Sequence, residues 1–115
     1  VKRGDLVTVA ISGDYGKPRP ALVIQSDFLP QTDSVLVCLL TTMRREAPLY
    51  RLPVPAGAET GLREPSQVMI DKIMAVRRAK CGGRIGGLDE TSLLALDRML
   101  AFVIGIADRN ASSNR

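Results

Sequence analysis

Apolar and polar positions divide the chain into short strand-like stretches followed by one helical stripe. Residues 5 to 12, DLVTVAIS, carry mostly β-compatible types and predict a first strand, with its turn over Gly13 to Lys17. Ala21 to Gln25 follows as a short strand. Its run ALVI cannot all face one side of a half-wet sheet, so this strand is expected to be buried. Pro18 and Pro20 forbid a normal ladder at their own nitrogens. Arg19 therefore sits at a strand entrance, with backbone torsions narrowed by Pro20. The plainer reading of PRP is a device that protects and terminates an edge strand.

After a polar connector containing Pro30, SVLVCLLT (34 to 41) predicts a central strand, with Thr41 and Thr42 at its exit before Met43, Arg44 and Arg45. YRLPV (50 to 54) reads as an edge strand interrupted by Pro53, and a Gly/Pro/Glu-rich loop runs to about residue 65. SQVMIDKIMAV then suggests one or two short strands. Neither parity of that segment is cleanly polar, which predicts a bend or a change of burial near Asp71. The helix is expected over 90 to 107: Leu93, Leu96, Leu100, Val103 and Ala107 recur at steps of three and four, and Leu94, Met99 and Ile104 broaden the apolar face. Asp89 is placed to cap it. GDYGK and KCGGRIGG read as turns, and RNASSNR as a polar tail. Several strands followed by a terminal helix favour a small, mostly β barrel with helical packing.

Composition narrows the chemistry. A chain of 115 residues, 45% hydrophobic, holds one domain, set here at 1–109 with a tail at 110–115. Sixteen Lys plus Arg against twelve Asp plus Glu leave a charge of +4, which permits a nucleic-acid partner without demonstrating one. Lys72, Arg77, Arg78, Lys80 and Arg84 have no acidic residue between them and form either a polyanion-facing surface or an ordinary solvated one. Cys38 and Cys81 are too few for a disulfide scaffold, so a reducing, cytoplasmic compartment is expected. No run reaches the roughly 18 apolar residues of a membrane span.

There is no histidine, no CxxC and no HExxH, which argues against a structural zinc or a His-dependent nucleophile. The Gly-rich pieces match no phosphate loop. Cleavage of RNA through its own 2′-hydroxyl remains open, since the substrate supplies the nucleophile and no metal or other cofactor is intrinsically required. Arg19 offers a fork of donors to phosphate oxygens and Thr41 a neutral hydrogen bond. As a guanidinium, Arg19 suits a phosphate stabiliser or leaving-group proton donor better than a base. Asp71 is either a weak general base or the salt-bridge partner of Lys72 or another cation.

GDLVTV (4 to 9), KPRPALVIQSD (17 to 27), VLVCLLTT (35 to 42), SQVMIDKI (66 to 73) and RIGGLDETSLLALDRML (84 to 100) together resemble the MazF/PemK family of toxin endoribonucleases. The resemblance spans roughly residues 3 to 107, with RPALVIQSD its most specific piece. It implies a compact SH3-like β barrel of the MazF/PemK/CcdB type with a C-terminal helix, usually a homodimer. The implied activity is sequence-specific, metal-independent cleavage of single-stranded RNA, leaving 2′,3′-cyclic phosphate and 5′-hydroxyl ends. Arg19 matches the catalytic arginine, and Thr41 the strand-exit threonine, with Thr42 the runner-up. Asp71 matches an acidic position thought to be catalytic in some members. Lys17, Thr42, Arg44, Arg45, Ser66, Gln67 and Lys72 are the corresponding substrate-contact candidates. Met69 stands where a member of the PemK branch carries a second arginine, leaving more of the burden on Arg19. The resemblance also implies a cognate antitoxin covering the RNA groove, a toxin–antitoxin complex that binds operator DNA, and no membrane partner. Two other classes stay open: a CcdB-like gyrase poison, and a catalytically inactive antitoxin- or nucleic-acid-binding module.

Overall fold

The computed structural model describes residues 1–11 and 17–108; of the expected turn only Lys17 is among them, and the polar tail lies outside. The strands are β1 (Asp5–Ala10), β2 (Pro18–Val23), β3 (Ser34–Thr41), β4 (Arg51–Val54), β5 (Ser66–Arg77) and β6 (Cys81–Gly87), followed by helix α1 (Glu90–Val103). They form one sheet in the order β4-β5-β3-β2-β1-β6, with every pairing antiparallel.

The central strands are buried on both faces. Ala21 and Val23 join Val7, Val9, Val35, Val37 and Leu39 on one side. Leu22 and Ile24 join Leu6, Cys38, Leu40, Val68 and Ile70 on the other. This is the two-sided burial expected of ALVI. Against the second cluster α1 packs Leu93, Leu96, Met99, Leu100 and Val103, with Leu96 fully buried.

The sheet curls. A single 3-10 turn, Arg78–Lys80, joins β5 to β6, although β3, β2 and β1 lie between them. Laid flat, four strand spacings of about 4.8 Å would separate these strands by about 19 Å, beyond the ~14 Å that four extended residues can reach. The loop after β4 likewise returns to β6, where the Gly87 amide donates to the Glu59 carbonyl at 2.9 Å.

The KCGGRIGG segment is a correction: Cys81–Gly87 is strand β6, paired with β1 through Val7↔Arg84 and Val9↔Cys81. Gly82 and Gly86 serve close approach rather than turning. A Cβ at Gly86 would stand 2.2 Å from the Thr60 carbonyl carbon and oxygen, and one at Gly82 would stand 2.2 Å from the Thr8 hydroxyl. β2 also begins earlier than expected, at Pro18 instead of Ala21, for a reason given below.

The bend expected near Asp71 is a bulge. The β3–β5 register slips between Cys38↔Ile73 and Leu40↔Val68, and Asp71 and Lys72 lie exposed within it. The segment is nevertheless one strand of 12 residues. Asp89 caps α1 as expected, accepting from the Ser92 amide at 2.8 Å. The helix ends at Val103, short of 107, because Gly105 takes φ +84. The Ile106 amide then donates to Ala101 and the Gly105 amide to Phe102, a Schellman stop. Leu94 and Ile104, expected on the core face, are 52% and 56% exposed, and Ala107 lies beyond the helix. Among the described residues no helix is long and apolar enough to cross a membrane.

Two stability outcomes follow. Gly86→Ala must push the residue 59–60 backbone aside and is expected to cost about 3 kcal/mol in a denaturant melt. Gly83→Ala, with nothing within 4 Å, should be close to neutral. The cap hydrogen bond holds the Asp89 carboxyl below its ordinary pKa. Its stabilisation is therefore complete above the unfolded-state value and is lost as pH falls through the lowered folded-state value. Acid titration of the melting temperature should show this component in wild type and not in Asp89→Asn.

Candidate functional site

The site begins with two missing hydrogen-bond donors. The Ile24 amide donates to the Leu36 carbonyl at 3.0 Å, so the even-numbered amides of β2 point toward β3. Pro18 and Pro20 share that parity and have no N–H to offer. On the β1 side the ladder runs unbroken from Leu6↔Leu22 to Ala10↔Pro18, which is why β2 can start at Pro18. On the β3 side pairing stops at Ala21↔Leu39. The β2–β3 pairing thus stops short of Arg19 at the rim of the sheet, while the β1–β2 pairing runs past it.

Arg19 and Thr41 each lie two residues beyond the last β2–β3 pair. Continued past its last pair, the β2–β3 register sets Arg19 opposite Thr41. Both side chains are half-buried and share the parity of Ala21 and Leu39, hence one face. The Thr41 hydroxyl oxygen accepts the Met43 amide at 3.1 Å, leaving its own proton for an incoming acceptor. Lys17 is exposed at the entrance to β2.

Thr41 pairs with Gln67 across the β3–β5 ladder. The Gln67 carboxamide accepts from the Arg45 amide at 3.1 Å and donates to the Arg45 carbonyl at 3.0 Å, clamping the loop that carries Arg44 and Arg45. Gln67, a substrate-contact candidate from sequence, thus spends its side chain on positioning that loop. Lys17, Arg44 and Arg45 make no ion pair with another described residue. Ser66 is 4% exposed and its hydroxyl donates to the Glu64 carbonyl at 3.0 Å.

Two clefts meet at Thr42. One, of about 520 Å³, is lined by Thr8, Pro18, Pro20, Thr42, Ser66 and Ile85, with the 61–64 loop. The other, about 540 Å³, lies between Thr42, Arg44, Arg45, Glu46, Pro53 and Gln67. Thr42, the runner-up to Thr41 from sequence, is the exposed threonine of the pair and lines both.

Asp71 and Lys72 stand apart from this assembly. They lie in the bulge, and Asp71 is four residues along β5 from Gln67, about 13 Å at strand rise. Their side chains pair at 3.9 Å. The Asp71 charge is felt instead at Cys38, whose thiol is pushed up to about 12 chiefly by burial and secondarily by this carboxylate. Of the basic run, Arg84 is held by Asp5 at 2.9 Å, and Arg78 donates to the Thr32 and Leu29 carbonyls to anchor the β2–β3 connector. Sequence reasoning missed Arg51: in YRLPV it reads as an ordinary strand residue, yet it is 6% exposed beneath the Arg44–Arg45 loop. Among the described residues no three His, Cys, Asp or Glu side chains gather to hold a metal ion.

Residues 2–104 match the family of PemK-like, MazF-like toxins of type II toxin–antitoxin systems. The chain is 44% identical over 108 residues to a probable endoribonuclease MazF of Mycolicibacterium smegmatis, covering 93% of this chain and 99% of that protein. Among solved structures, Mycobacterium tuberculosis toxin MazF-mt6 superposes with a TM-score of 0.75 at 24% identity, covering 88% of this chain and 96% of that one. A mycobacterial endoribonuclease in complex with its cognate antitoxin does so at 0.74 and 22% identity, covering 91% and 95%. At these identities the superpositions speak for the fold alone.

Pro20→Ala should extend the β2–β3 ladder by one rung. Hydrogen exchange is expected to show the new amide at position 20 protected about tenfold or more over an open strand end. Free exchange there would mean that something other than the proline splits the strands.

Proposed function

The chain belongs to the PemK-like, MazF-like endoribonuclease toxins of type II toxin–antitoxin systems, and we propose that it cleaves single-stranded messenger RNA at specific sequences without a metal. What supports this reading is the β2–β3 register: carried two residues past its last pair, Ala21↔Leu39, it would bring Arg19 opposite Thr41. In the proposed reaction the 2′-oxygen attacks the adjacent phosphorus. The O2′–P bond forms, the P–O5′ bond breaks, the 2′ proton is released and O5′ takes one up. The products carry 2′,3′-cyclic phosphate and 5′-hydroxyl ends.

Arg19 supplies charge-assisted donors to the phosphoryl oxygens as negative charge gathers on them, and the Thr41 hydroxyl adds a neutral donor. Lys17, Arg44 and Arg45 draw the RNA backbone to the rim, and Thr42 and Ser66 border the strand's path. Asp71 takes no part as base in this reading, given its place in the bulge beside Lys72.

We read the curled sheet as an SH3-like barrel and the active species as a cytoplasmic homodimer. A cognate antitoxin would cover the cationic rim and stop cleavage by exclusion, and the pair would bind operator DNA. Support comes from the family and from the antitoxin-bound mycobacterial endoribonuclease that shares the fold.

The deciding assay incubates wild type, Arg19→Ala and Thr41→Ala with a mixed-sequence RNA pool in chelator, and determines the product ends. Wild type is expected to cut and leave cyclic phosphate. Arg19→Ala should lose about 100- to 1,000-fold in kcat and Thr41→Ala about tenfold, with melting temperatures retained. An intact RNA pool after wild-type treatment would defeat the ribonuclease reading, and gyrase inhibition in its place would favour the CcdB-like alternative.

A further inference from the structure

Arg51 opens β4 at the sheet edge, yet only 6% of it is exposed. Its Nη1 donates to the Met43 carbonyl at 3.4 Å and to Gln67 Oε1 at 3.3 Å. Its Nε is buried and has no hydrogen-bond partner, and no carboxylate lies within ion-pair distance of it among the described residues. A buried guanidinium without an anion is costly, because desolvation is offset only by a charge partner or a full set of hydrogen bonds. With Nη1 occupied and Nε out of reach of solvent, Nη2 is the donor left for an anion from outside, and a guanidinium N–H is a strong donor to a phosphate oxygen. Arg51 lines a small dimple of about 170 Å³ with Arg45, Glu46, Ala47, Pro48, Pro53 and Gln67. That dimple shares Arg45, Glu46, Pro53 and Gln67 with the larger cleft ending at Thr42.

We propose that Arg51 is a seat for a backbone phosphate of the RNA, at a nucleotide other than the one cleaved. The inference rests on the ribonuclease reading and adds a binding residue to it. RNA is favoured over a protein carboxylate because the dimple is continuous with the cleft bordered by Thr42, Arg44 and Arg45, and a single strand lying there presents an anion at every nucleotide. Glu46 also lines the dimple, so its exposed carboxylate opposes the incoming phosphate. The seat is on β4, whereas Arg19 and Thr41 lie on β2 and β3, with β5 between. Its loss should therefore weaken RNA binding more than it slows the chemical step.

The test uses a cleavable oligoribonucleotide and a set of copies, each with one non-scissile phosphate replaced by a neutral methylphosphonate. For wild type, one position is expected to raise KM about tenfold when neutralised, and for Arg51→Gln the same position should matter less than twofold. Arg51→Gln should also flatten the dependence of log affinity on log salt by roughly 0.7, the value of one single-strand phosphate contact. Should that variant fail to fold, Glu46→Gln at the surface keeps the question open to decision. It is expected to lower KM for the all-phosphate RNA and to leave unchanged the oligonucleotide neutralised at the seat. A uniform KM rise across the whole set for Arg51→Gln, or no effect of Glu46→Gln, overturns the seat while leaving the ribonuclease reading intact. Weakened antitoxin binding by Arg51→Gln with an unaltered methylphosphonate profile assigns the group to a protein carboxylate and overturns the RNA assignment. If wild type cuts no RNA at all, the ribonuclease reading falls and the seat falls with it.

Discussion

Everything at the rim depends on two amides that proline removes from one side of β2. A strand between two neighbours ordinarily pairs along its length, since each unpaired buried N–H or C=O costs free energy. With Pro18 and Pro20 both facing β3, the ladder cannot continue beyond Ala21↔Leu39, while the β1 ladder is untouched. The result is a strand end paired on one side only. Arg19, between the prolines, is held by its β1 partner Val9 and is denied the freedom of a loop residue. In the proposed reaction, a cation and a hydroxyl set by backbone register would need little reorganisation at the moment of reaction.

A second economy concerns charge. Arginines away from the rim hold the fold together: Arg3 reaches Asp97 at 2.6 Å and the Ile24 carbonyl at 3.0 Å, Arg84 reaches Asp5, and Arg78 pins the connector between β2 and β3. At the rim Lys17, Arg44 and Arg45 remain exposed. Asp5, Asp71 and Asp97 neutralise cations elsewhere, while Glu46 stays at the rim beside Arg45 and offsets part of its positive field. Gln67 and Arg51 supply the scaffold from which that loop projects.

The core explains how so short a chain supports such a site. Val and Ala fill one face of the central strands, and Leu, Ile and α1 fill the other, so β1, β2 and β3 are anchored from both sides. Gly86 of β6 lets the loop after β4 lie directly on that strand, closing the distance between opposite ends of the sheet order.

Local chemistry alone determined the two-sided burial of ALVI, the edge position of YRLPV, the cap at Asp89 and the break in pattern near Asp71. These are properties of a few neighbouring residues: apolar runs, a proline's missing donor, a carboxylate ahead of a helix. Tertiary structure decided the rest. KCGGRIGG became a strand because Thr8 and the Glu59–Thr60 backbone come close enough to exclude side chains, and those partners lie far away in sequence. Register between distant strands put Arg51 beneath the Arg44–Arg45 loop and set Asp71 four residues along β5 from Gln67, the partner of Thr41. A residue's own neighbours in the chain do not encode which strand it will face, so its charge partners become visible only when the sheet is assembled.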